Sequence, residues 1–183
     1  MTETVILCFR DLVTAPGDTV ALHAKKIDAL GHCWWGWWKK PIENVPVDLF
    51  RKLYNGDREN LNEKIFLYDC GARENEQYKV YRATLSALRV APAQVSMSSP
   101  QMDATPDYYI HVKCAAWWRL TDIEEVSDVP SLLRTMTYRS FPSWPSSSEH
   151  QRFVGREVTD CAELDRMRVT LWHVETSNAT VNA

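Results

Sequence analysis

Residues 31–40 read GHCWWGWWKK, with four tryptophans inside five positions. Successive side chains of a strand point to opposite faces. A strand here puts Cys33, Trp35 and Trp37 on one face and Trp34, Gly36 and Trp38 on the other. Two adjacent tryptophan pairs cannot all face one core. At least two indoles turn to the opposite face, toward a second packed layer or toward a ligand. Gly36 removes a side chain between two tryptophans and leaves a gap that a flat group or another backbone can enter. Two readings follow: the tryptophans are core, or they line a surface that stacks on a flat ligand.

The neighbouring segments supply candidate layers. TVILCFR predicts a strand over about residues 4–10. Asp18 or Thr19 is placed to cap a helix that runs to Leu30, where Gly31 stops it. Val20, His23, Ile27 and Leu30 form its apolar stripe. VPVDLFRKLYNG reads as a short helix with Val47, Phe50, Leu53 and Tyr54 on one side and Gly56 past its end. KIFLYDCG and ENEQYKVYRATLSALRV read as two strands of a hairpin. YYIHVKCAAWWRLTDI reads as a further strand, SLLRTM as a short helix and SFPSWPSSSEH as irregular. AELDRM predicts a last helical turn, RVTLWHV (168–174) a last strand and ETSNATVNA a frayed end.

Composition removes several function classes. The chain has 183 residues and a formal net charge of -3, so no global field draws it to nucleic acid. Five cysteines, an odd number with no CxxC spacing, predict free thiols, no zinc site and a reducing compartment. No metal and no cofactor are expected. The start MTETVILCFRDL lacks a basic segment before its short apolar run, and no run of about 18 apolar residues suits a membrane span. The expected location is therefore cytoplasmic. Walker A, GxGxxG, HExxH and GxSxG patterns are absent. The best enzymatic reading is a cysteine hydrolase with Cys33 as nucleophile beside His32. Its geometry is poor, because neighbours on a strand point apart and Cys33 follows a helix C-terminus.

The aromatic residues continue beyond the tryptophan run, at Tyr68, Tyr78, Tyr81, Tyr108, Tyr109, Trp117 and Trp118. Stacked aromatic faces bind nucleobases and hold alkylated cations. Arg10, Lys39, Lys40 and Arg82 are candidates to meet phosphate nearby, although each also reads as a solvated strand-end charge.

The order of these features resembles a known family. HAKKIDALGHCWWGWW is similar to the short helix and tryptophan–glycine strand of EVE domains. KIFLYDCGARENEQYKVYRATLSAL is similar to their strand, turn and return strand, and SSPQMDATPDYYIHVKCAAWWRLTDI to their later proline-preceded strand. EVE domains belong with YTH and ASCH domains in the PUA-like superfamily. The glycine-aspartate pair that usually precedes the second of these strands is missing here, where NEKIFLYD stands. The resemblance implies an α+β fold, a small mixed β-barrel or strongly curved sheet with peripheral helices. It covers about residues 4–125 and implies a PUA-like domain over 1–126, with 127–183 as an elaboration packed on it.

It also implies a non-enzymatic recognition module that takes a modified base or small nucleotide in an aromatic pocket, as a sensor for an effector protein. On that reading Trp35, Trp37 and Tyr68 stack on the base. Arg10 and Asp69 make polar contacts, and Lys39, Lys40 and Arg82 meet phosphate. Trp34, Trp38 and Trp117 complete the ligand-binding set. The alternative is a protein-interaction domain with a tryptophan-rich surface.

Overall fold

The computed structural model describes residues 1–10, 18–55, 59–70, 79–92, 95–145, 148–158 and 169–177. Seven strands form one mixed sheet: β1 (Thr2–Phe9), β2 (Cys33–Trp37), β3 (Glu59–Asp69), β4 (Lys79–Val90), β5 (Ala116–Glu125), β6 (Met136–Ser140) and β7 (Leu171–Thr176). Their order is β2-β5-β4-β3-β1-β7-β6. Among the described residues only β1 and β3 pair in parallel; the other neighbours are antiparallel.

The sheet is not closed into a barrel, since β2 and β6 are its two edges. It is strongly curved all the same. One apolar cluster gathers Val5 and Leu7 of β1, Trp35 and Trp37 of β2, Ile65 and Leu67 of β3, Leu85 of β4, Trp118 of β5 and Leu171 of β7. Side chains from strands five places apart in the sheet meet only if the sheet wraps around them. The Trp37 indole Nε1 donates to Thr170 Oγ1, just before β7, at 2.9 Å. The β2 edge therefore approaches the start of β7 without pairing to it.

Helices cover this concave core. Helix α1 (Asp18–Leu30) buries His23 and packs Val20 and Ile27 against the cluster. It ends at Gly31, whose φ of +76° reverses the chain at no steric cost. Helix α2 (Val47–Tyr54) buries Phe50 and Tyr54, and Asn55 takes the left-handed cap position (φ 54°). Gly56, expected just past this helix, lies outside the described residues.

The convex face carries two further clusters. Ile6, Phe66, Tyr68, Val80, Tyr138 and Trp172 pack under helix α3 (Val129–Arg134) and the one-turn helix α4 (Ser148–Gln151). Trp34, Ala87, Ala104, Cys114 and Trp117 pack under the loop that precedes β5. Strand β2 thus has all five residues buried, with a layer on each side.

Three expectations change. Tyr108 and Tyr109 do not begin a strand: Pro106 opens a 3-10 turn over Asp107–Tyr109, and β5 starts at Ala116. Strand β6, unannounced by its short sequence MTYRS, forms against β7. The last strand is Leu171–Thr176. The expected helical turn at AELDRM, Tyr78 and the loop between β3 and β4 lie outside the described residues. Cys33 and Cys114 are free thiols, and Cys161 also lies outside. Among the described residues no helix is long and apolar enough to cross a membrane.

Candidate aromatic site

The C-terminal end of β1, the middle of β2 and the start of β4 converge with α1 on the concave face. Phe9 meets Trp35 edge-on, with ring centroids 5.0 Å apart at 82°, and lies 6.3 Å from Tyr81. The His23 imidazole stacks on Trp35 at 4.3 Å and 36°. Tyr108 and Tyr109 each stand 6.4 Å from His23. Asp69 is the strand partner of Phe9 and shares the face of Ile65 and Leu67 by strand alternation, so a buried carboxylate stands at the same end of the sheet.

His23 is the polar centre of this cluster. Its Nδ1 lies 2.7 Å from the Thr19 carbonyl oxygen. A carbonyl only accepts, so Nδ1 carries the proton and donates. Burial pushes the imidazole pKa down to about 4, so the ring is neutral near pH 7. Nε2 is then a bare acceptor. It lies beside the Trp34 backbone acceptor, to which only a protonated ring could donate, so in the neutral ring Nε2 has no hydrogen-bond donor. Two acceptors side by side suit an N–H or O–H donor placed between them. Trp35 is 4% exposed, so access to the cluster is from the side of the half-buried Phe9 ring.

The opposite face of β2 is filled from within the chain. A Cβ on Gly36 would sit 2.5 Å from both Tyr109 Cε1 and Cys114 Sγ. Tyr109 donates its hydroxyl to the Gly36 carbonyl at 3.0 Å. The flat group in the glycine gap is a tyrosine of the same chain.

A family model described as Pua-like matches residues 5–182. The chain belongs to the Pua-like family. Domains of this family are in general recognition modules for RNA and nucleobases. Nothing among curated proteins or solved structures matches the chain. The Pua-like match runs through both segments that the sequence reading separates at residue 126.

Within this Pua-like sheet the sequence-derived site residues divide. Trp35 and Asp69 lie at the same end of the concave face, linked through Phe9. Trp37 shares that face, but its ring packs on Phe50 at 6.0 Å and its N–H is used by Thr170. Tyr68 is on the convex face, 5.4 Å from Trp172, and is not beside Trp35. Arg82 is on the Tyr68 side and pairs with Glu124 at 3.3 Å. Arg10 alternates with Phe9 to the convex side, where its Nε meets Cys70 Sγ at 3.4 Å. Trp34 and Trp117 come together under the 95–115 loop. Trp38 is 55% exposed beyond β2, and Lys39 and Lys40 are half-buried beside it.

Phe9, His23 and Tyr81 were not in the sequence-derived set. The available signal was His23 on the apolar stripe of α1, where a polar ring needs a reason. A second missed feature is Glu43, 1% exposed. Its carboxylate accepts from Lys40 N, Ser143 Oγ, Thr170 N and Thr170 Oγ1. It ties the loop after β2 to the segment before β7 and fixes the hydroxyl that holds Trp37.

The hydrolase alternative loses its nucleophile. Cys33 is fully buried, and burial pushes its thiol up to about 12. The His32 ring turns to Gln101 Oε1 (2.8 Å). A Ser140–His173–Glu3 row joins β6, β7 and β1. The serine meets Nδ1 and the carboxylate Nε2, the reverse of a hydrolytic relay. Among the described residues no His, Cys, Asp or Glu group has metal-binding geometry.

Proposed function

We propose that this chain is a non-enzymatic recognition module that binds a nucleobase, as a modified base or small nucleotide, at the Phe9–His23–Trp35–Tyr81 cluster. The observation that carries the reading is His23: a neutral, buried imidazole stacked on Trp35 with its acceptor nitrogen unpartnered. A base offers the matching group, since its edge carries N–H donors and its face suits an aromatic stack. Asp69 supplies a carboxylate at the same end of the sheet, able to accept a further N–H. The half-buried Phe9 ring moves aside to admit the base. Trp37, Trp34 and Trp117 support the walls, and Lys39 and Lys40 lie on the loop beyond β2.

A thermal-shift screen against nucleosides, modified nucleosides and nucleotides tests this, because a ligand that binds only the folded chain raises its apparent stability. For a ligand that raises the melting point, His23→Phe and Phe9→Ala are expected to weaken binding by about 1–3 kcal/mol, the scale of one lost stacking or polar contact. Affinity unchanged in both variants would refute the site.

Trp38 favours a second reading, a protein-interaction surface. It is 55% exposed, and Ile42 on the following loop is equally so. Exposed tryptophan suits a binding hot spot. Trp38→Ala separates the readings, since it leaves nucleoside binding intact.

A further inference from the structure

We propose that Arg152 and Arg156 form a second site, a clamp for the phosphodiester backbone of a nucleic-acid strand, on the turn that follows α4. Both side chains are exposed. The Arg152 guanidinium carbon lies 4.8 Å from the Phe153 ring centroid, and that of Arg156 lies 5.9 Å from the same centroid. The two cations are therefore at most about 11 Å apart. The ring they share is a fixed base, 3% exposed and packed on Tyr138.

The turn itself is held by the backbone. Phe153 N donates to His150 O, Arg156 N to Phe153 O, Gly155 N to Tyr138 O and Tyr138 N to Arg156 O. Gly155, with φ +82°, turns the chain back so that residues 152 and 156 reach one ring. The last two bonds staple the turn to the outer edge of β6.

The two arginines lack what the chain gives several of its other arginines. Arg51, Arg82, Arg89 and Arg139 each meet a carboxylate. Neither Arg152 nor Arg156 does so among the described residues, in a chain with more acidic than basic side chains. Two like charges held on one ring suit a shared anion, and the guanidinium fork matches phosphate oxygens. The pair stands over the convex-face core, away from the Trp35 cluster. A mononucleotide in the aromatic site would not reach it, whereas a strand running over the surface would. The choice of a nucleic acid as the source of phosphate rests on the nucleobase reading; the anion chemistry does not.

The test uses the full chain, a fluorescein-labelled oligouridylate of about a dozen nucleotides read by anisotropy across salt concentrations, and inorganic phosphate as competitor. Arg152→Gln with Arg156→Gln is expected to weaken oligonucleotide binding about tenfold at low salt. It should also flatten the slope of log K against log[salt] by about 0.7 for each lost contact. Arg152→Lys with Arg156→Lys keeps most of the slope, because the charge remains. Melting temperatures of the variants confirm that the fold survives. An unchanged slope in the glutamine pair overturns the proposal. Failure of the unsubstituted chain to bind the oligonucleotide overturns it as well, and oligonucleotide binding that the glutamine pair leaves unchanged at low salt places the strand elsewhere. Neither result touches the aromatic site, whose nucleoside screen contains no strand.

Discussion

At the scale of single residues, burial of His23 has a consequence that pH reveals. In the unfolded chain its imidazole titrates near 6.5, and in the fold at about 4. Between those values the unfolded chain holds a proton that the folded chain does not. Acid therefore favours unfolding, and the stabilisation present above pH 6.5 is lost as pH falls toward 4. For this fully buried ring the loss amounts to about 3 kcal/mol. Burial also lowers His173, which adds to the slope in the same direction. His23→Phe keeps a ring against Trp35 and should remove the His23 share. Urea unfolding at several pH values between 4 and 7.5 measures it. Parallel pH profiles for the two proteins would show that His23 is not the acid-sensitive group.

At the scale of elements, local chemistry made most of the regular structure legible. Asp18 and Gly31 bound α1, and the β3–β4 pairing follows from two apolar runs around a polar loop. The doubled tryptophans correctly demand a layer on both faces of β2. What stayed hidden depends on partners remote in sequence. Nothing local announces that β1 pairs in parallel with β3, or that MTYRS finds an edge beside β7. Tyr68 and Trp35 each read as pocket residues, and only the sheet order shows that they face apart. Glu43 is the sharpest case, because three of its four donors lie 100 or 127 residues away. Glu43→Ala leaves four donors without their acceptor and should cost about 3 kcal/mol or more. Paired with Thr170→Val in a double-mutant cycle, it should show strong coupling, with the Trp37 emission shifting in either single variant. Purely additive effects would mean that the carboxylate does not join the two edges.

At the scale of the whole molecule, residue 126 is the instructive position. The resemblance to EVE-type domains covers only the residues before it, yet the sheet does not stop there. Strand β7 pairs with β1 from Thr2↔Thr176 to Leu7↔Leu171, and so occupies the place between β1 and β6. The same segment supplies Leu132, Tyr138, Phe153 and Trp172, which cover Ile6, Phe66, Tyr68 and Val80 on the convex face. It also carries Thr170 and Ser143, the partners of Glu43. A chain cut after residue 126 would expose β1 as a bare apolar edge and uncover one of the three hydrophobic clusters. We therefore expect residues 1–126 alone to lack cooperative unfolding and near-ultraviolet circular dichroism, and to bind a hydrophobic dye. Adding 127–183 as a separate peptide should restore both signals if the interface forms in trans. A sharp unfolding transition for 1–126 by itself would instead establish it as an independent domain, with the last two strands an attachment to it.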